Sequence, residues 1–124
     1  MPKLALVVDD SMLIRHTVCR FLEDKGFRVE SATNGMEAME MLAGIRPDII
    51  VTDLQMPKMD GHELVRALKA RPQTSEIPVV ILAGKNQTEE PAELAGRYVI
   101  YKDIDIVDQL GRALDILLPK ALNT

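Results

Sequence analysis

A chain of 124 residues has room for one hydrophobic core, so a single domain spanning 1–124 is expected. Its 47% hydrophobic and 27% charged residues are the proportions of a soluble globular protein, and the net charge of −4 argues against direct nucleic-acid binding, which needs a basic face. No apolar stretch approaches the roughly 20 residues of a membrane helix, and residues 1–8 run straight into a strand and then acids, without the pattern of a secretory signal. Only 3% of the residues are aromatic and none is Trp, so the core has to be aliphatic and Met-rich. Cys19 is the single cysteine and reads as a small buried hydrophobe. Without an internal disulfide, the chain fits a reducing cytosol, and a cytoplasmic location is expected.

Residues 4–8 form a continuous apolar run, the mark of a strand buried on both faces. Ser11 caps a helix whose apolar face is expected to hold Leu13, Ile14, Val18, Phe21 and Leu22, and Gly26 ends it. Residues 27–32 alternate instead, as a strand with one wet side near a sheet edge does. Asn34 opens a second helix, with Ala38, Met39, Met41 and Leu42 inward, closing near Gly44. Pro47 blocks further helix, and residues 48–52 are the third strand. The third helix starts at Gly61 and His62 with Leu64, Val65 and Leu68 inward; residues 71–77 are a polar loop and 78–83 the fourth strand. Residues 84–96 nearly lack helical apolar spacing, so the fourth helix is expected to be short or irregular, starting near Pro91. Residues 96–102 hold the fifth strand, and 106–118 the last helix, with Val107, Leu110, Leu114 and Leu117 or Leu118 in its stripe.

Strands alternating with helices imply an α/β fold: a doubly wound, five-stranded parallel sheet with helices on both faces. The most apolar strands are the first, third and fourth, which belong in the centre, giving the order 2-1-3-4-5. Ligands in such a sheet sit beyond the strands' carboxyl ends, where strand order reverses between the first and third. Asp9 and Asp10 follow the first strand, Asp53 follows the third and Lys102 the fifth, so all four charges meet at that edge. Packed acids repel one another, a conflict that a divalent cation resolves. Magnesium takes hard oxygen ligands: Asp10 and Asp53 offer two, the backbone carbonyl of Gln55 a third, and Asp9 is placed to hold a coordinated water. Lys102 adds a point charge for an anion. The set is that of a magnesium-assisted phosphoryl acceptor.

The segment Asp-Leu-Gln-Met-Pro-Lys-Met-Asp-Gly at residues 53–61, with the Asp9–Asp10 pair and Lys102, resembles the receiver domain of two-component response regulators, over essentially the whole chain. The resemblance implies a flavodoxin-like fold, Asp53 as phosphoacceptor, Asp9 and Asp10 as magnesium acids and Lys102 as the phosphoryl contact. It further implies Mg2+ as cofactor, a phosphohistidine on a sensor histidine kinase or histidine phosphotransfer protein as donor, and a downstream protein or an output domain as reader. The domain is then a signalling module, not an enzyme. A magnesium-dependent phosphohydrolase also uses a strand-end aspartate, but usually with a second acid two residues on, where this chain has Gln55.

Three positions depart from the family pattern. Ala83 stands where receivers usually carry Ser or Thr, Val99 where an aromatic residue usually sits, and Asp103 where a cis proline usually follows the lysine. Tyr98 and Tyr101 flank Val99 and are expected on the opposite face from it. These departures keep an alternative open, an atypical receiver acting as a phosphorylation-independent protein-binding module. His16 and His62 are expected to face solvent, Asp60–Gly61 to be a turn without a chemical role, and Lys58 and Lys85 to be surface lysines near the site.

Overall fold

The computed structural model describes residues 3–84, 98–102 and 105–118. Five strands form one parallel sheet: β1 (Leu4–Val8), β2 (Arg28–Ala32), β3 (Ile49–Asp53), β4 (Val79–Ala83) and β5 (Tyr98–Tyr101), in the order β2-β1-β3-β4-β5. The helices are α1 (Met12–Asp24), α2 (Gly35–Leu42), α3 (Gly61–Lys69) and α4 (Ile106–Leu117). The expected doubly wound arrangement is present. The expectation of a short or irregular fourth helix after residue 84 falls on residues 85–97, which lie outside the described residues, as does Asp103.

Successive strand residues point to opposite faces, so each strand feeds two cores. Ala5, Val7, Ile49, Val51, Val80, Leu82 and Ile100 face one side, where Val18 and Leu22 of α1 and Leu110 and Leu114 of α4 cover them. Leu6, Val8, Ile50, Val79, Ile81 and Ala83 face the other, under Ala38 of α2 and Leu64, Val65 and Leu68 of α3. At about 25 cal/mol per Å2 of apolar surface, this two-sided burial of short aliphatic strands is the main force holding the sheet. Cys19 packs at the rim of the first core, and burial, followed by the charge of Glu23, pushes its thiol pKa up.

Each helix starts where a polar side chain meets its free N–H groups. The side chains of Ser11, Asn34, Asp60 and Asp105 accept from the backbone N–H of Ile14, Glu37, Glu63 and Asp108. At α3 the cap is reciprocal, because the Glu63 side chain accepts from the Asp60 N–H. The loop after α3 is pinned from inside by Thr74, a buried residue whose hydroxyl donates to the Leu68 carbonyl at 2.6 Å.

Four side chains sit differently from the sequence expectation. Leu13 is 73% exposed; it stands about 100° round α1 from the line of Ile14, Val18 and Leu22. In α4 the inward place at the first turn belongs to Ile106, and Val107, one step round the helix, is exposed. Tyr101 shares its face with Val99, and both pack against the core under α2 and α3, whereas Tyr98 packs on the opposite side. Residues two apart in a strand point the same way, so alternation separates Tyr98 from Val99 but joins Tyr101 to it. His62 is half-buried rather than solvent-facing, while His16 is exposed as expected.

Candidate functional site

The chain order reverses between β1 and β3, and their carboxyl ends carry Asp9 and Asp53 side by side. Both carboxylates are buried, Asp9 fully and Asp53 to within 3%, and Asp10 beside them is exposed. The three residues bring carboxylate oxygens within 4.8 Å of one another. Lys102, just past β5, reaches across β4 to place Nζ 2.8 Å from Asp53 Oδ1 and 3.5 Å from Asp9 Oδ2. The four charged side chains that the sequence assigned to one sheet edge therefore do converge there.

Backbone contacts hold the acids. The Asp9 N–H donates to the Ala32 carbonyl at 3.1 Å, and the Asp9 carbonyl accepts from the Arg15 guanidinium at 2.9 Å. Asp9 Oδ1 accepts from the Ser11 N–H at 2.8 Å, which fixes the carboxylate plane at the start of α1. At β3, the Leu54 N–H donates to Leu82, the Leu54 carbonyl accepts from the Gly61 N–H, and the buried Thr52 hydroxyl donates to the Asp53 carbonyl at 3.0 Å. Gly61 presses directly on this segment: a Cβ there would collide with the Asp53 carbonyl oxygen and Leu54 Cα. Asp60–Gly61 is thus more than a turn, because the absence of a side chain at 61 lets α3 start against the backbone of the buried acid. The intervening loop is stapled to α2 by the Gly35 N–H, which donates to the Met59 carbonyl at 2.9 Å. Lys58 in this loop adopts a left-handed backbone, φ 70°, and is exposed; Gln55 is exposed too. Lys85 lies outside the described residues.

Asp9 Oδ2 is buried with no hydrogen-bond partner among the described residues, and faces the Lys102 ammonium at 3.5 Å. Burial pushes the Asp9 carboxyl pKa up, and the charge of Asp53 adds to this. The Ser11 N–H and Lys102 pull it down without cancelling the rise. Hard oxygen donors from three acids, one of them a buried oxygen without a hydrogen bond, fit an oxygen-ligated divalent cation such as magnesium.

The model of the response regulator receiver domain matches residues 5–113. The chain belongs to the response regulator receiver family. Its members act in two-component signalling, and this receiver is 38% identical over 90 residues to response regulator MprA of Mycobacterium sp. strain KMS, covering 73% of this chain and 38% of that protein. The corresponding protein of Mycobacterium ulcerans strain Agy99 is 40% identical over 85 residues, covering 68% and 36%. The receiver thus spans little more than a third of the relatives it matches. Among solved structures, the receiver domain of a signal transduction histidine kinase from Syntrophus aciditrophicus superposes with a TM-score of 0.82 at 31% identity, covering 98% of this chain and 94% of that one. The chemotaxis response regulator CheY4 of Vibrio cholerae superposes at 0.80, also with 31% identity, covering 95% and 100%. Among the described residues no helix is long and apolar enough to cross a membrane.

Sequence reasoning missed the supporting contacts of the receiver site. Ser11 was legible as a helix cap but not as the donor that orients Asp9, and Gly61 not as the residue on which the Asp53 backbone rests. Gln109, whose side chain bonds the backbone of Tyr101, carried no signal at all.

Proposed function

We propose that this receiver is a magnesium-dependent phosphoacceptor. Asp53 takes a phosphoryl group from the phosphohistidine of a sensor histidine kinase or histidine phosphotransfer protein in the cytoplasm. The observation that carries the reading is the buried Asp53 carboxylate, with the Lys102 ammonium at 2.8 Å and two further acids beside it.

An Asp53 oxygen attacks phosphorus, the P–N bond to imidazole breaks as the new P–O bond forms, and the imidazole takes its proton from solvent. The product is an acyl phosphate, a mixed anhydride that water cleaves to return the carboxylate. Asp10, Asp53 and the Gln55 carbonyl would hold Mg2+, with Asp9 beside them to bind its hydration shell. When bound, the ion offsets the repulsion between the acids and an incoming phosphoryl group. Lys102 binds a phosphoryl oxygen and orients the group over Asp53. The acceptor is consumed once per phosphorylation, so the domain acts as a signalling element rather than an enzyme on free substrates. A downstream protein or an output segment reads the modified surface.

Incubation with Mg2+ and a small acyl-phosphate donor, followed by intact mass measurement, is expected to show one phosphoryl adduct in the parent and none in Asp53→Asn. No adduct in the parent, or an unchanged adduct in Asp53→Asn, contradicts the assignment.

A further inference from the structure

We propose that Gln109 is the positioning residue for Lys102, an inference that rests on the phosphoacceptor reading above. Among the described residues β5 is an edge strand, and the outward N–H and C=O of Tyr101 face no neighbouring strand there. The Gln109 carboxamide takes that place. Its Oε1 accepts from the Tyr101 N–H at 3.0 Å, and its Nε2 donates to the Tyr101 carbonyl at 2.8 Å and to the Asp105 carbonyl at 3.3 Å. On the inner side the Lys102 N–H donates to the Ala83 carbonyl at 2.9 Å.

The peptide unit joining Tyr101 to Lys102 is therefore held at both ends, its oxygen by Gln109 and its N–H by β4. A peptide unit is planar and rigid. Bonding it on both sides fixes the point from which the long lysine stem sets out toward Asp53. The anchor is itself fixed, because α4 buries Leu110, Ala113 and Leu114 in the core and the Gln109 N–H donates to Asp105 within the helix. One donor and one acceptor on a single flat side chain are needed; a carboxylate lacks the donor and an ammonium lacks the acceptor. The next residue is Asp103, not the proline usual in the family, so the restraint on Lys102 that the described residues provide comes from its amino-terminal side.

Two variants test this. Gln109→Leu removes both bonds, and Gln109→Glu keeps the acceptor but loses the donor; Gln109→Glu decides the matter where Gln109→Leu fails to fold. With Mg2+ saturating, affinity for beryllofluoride is expected to fall roughly three- to tenfold in Gln109→Leu, while affinity for Mg2+ alone stays unchanged. In a Lys102→Ala background, Gln109→Leu should cause no further loss. Hydrogen exchange of the Tyr101 and Lys102 amides should quicken while that of the β1 and β3 amides does not. Unchanged beryllofluoride affinity, an equal loss in the Lys102→Ala background, or unaltered exchange at Tyr101 and Lys102 overturns the proposal. If the parent binds no beryllofluoride and gains no phosphoryl adduct, the phosphoacceptor reading fails instead, and the exchange rates alone decide whether Gln109 restrains Lys102.

Discussion

The two halves of the site are built by different means. The acid half stands on β1 and β3, strands paired on both sides; its backbone is clamped by Ala32, Leu82 and Gly61, and the Asp9 carboxylate by the Ser11 amide. The lysine half stands on the four-residue edge strand β5, where a helix side chain supplies the missing neighbour. Repulsive buried charges need a stiff frame, because any relaxation would let them move apart or admit water. A single cation on a long stem needs a smaller frame, and one peptide unit bonded on both sides sets where that stem begins. Damage to the acid half should accordingly appear as lost stability or metal binding, and damage to the lysine half as weaker phosphoryl binding alone.

The largest stability effect should come from Gly61→Ala. The added Cβ meets backbone rather than a flexible side chain, so the Asp53 segment or α3 has to shift, at a cost of about 1–3 kcal/mol. Gly44→Ala, whose Cβ would meet nothing nearer than 3.9 Å, is the control expected to leave the denaturation midpoint close to the parent's. Equal midpoints for the two variants would show that α3 does not brace the acid half. Next in size, under the proposed magnesium assignment Asp9→Asn should weaken Mg2+ binding by about 10–100-fold, the usual effect of losing a group that supports the ligands. Asp108→Asn, which breaks an exposed pair with Arg112 on the surface of α4, should leave the titration curve unchanged.

The smallest effect concerns pH. Burial holds the folded Asp9 carboxyl above its ordinary value of 3.8, so between the two values the folded protein binds more protons than the unfolded chain. This contribution to stability grows as pH falls into that window and is lost as pH rises through the raised value, the reverse of ordinary acid denaturation. Denaturant melts in a metal chelator across mildly acidic pH should reveal it in the parent and not in Asp9→Asn. Mg2+ binding needs the charged carboxylate, so its affinity should decline over the same interval. A parent and variant with parallel pH profiles would place the Asp9 proton elsewhere.

The sheet order and the acid cluster were legible because both follow from short-range pattern. Apolar runs ending in Asp9, Asp53 and Lys102 declare parallel strands with charges at one edge, and the 53–61 segment adds family resemblance. What stayed hidden depends on where helices dock. Gln109 looks like any solvent-facing helix residue until α4 lies against the open edge of β5, and Gly61 like a simple turn until α3 meets Asp53. Leu13 and Val107 were misplaced by one step round a helix, a shift that composition does not register when Ile14 and Ile106 are equally apolar. Tyr101 was set on the wrong face, although the two-residue repeat of a strand joins it to Val99. That leaves an aromatic ring beside Ala83, its cross-strand partner, on the face where the family usually uses a hydroxyl and an aromatic residue together.

Phosphorylation in the presence of Mg2+, followed by borohydride reduction and peptide sequencing by mass spectrometry, tests the phosphoacceptor most directly. An acyl phosphate on Asp53 is reduced to homoserine at position 53, and omission of Mg2+ should suppress the product. Homoserine at another aspartate, or equal yield with the ion removed, would contradict a site in which three acids and Lys102 converge to make Asp53 the magnesium-dependent acceptor.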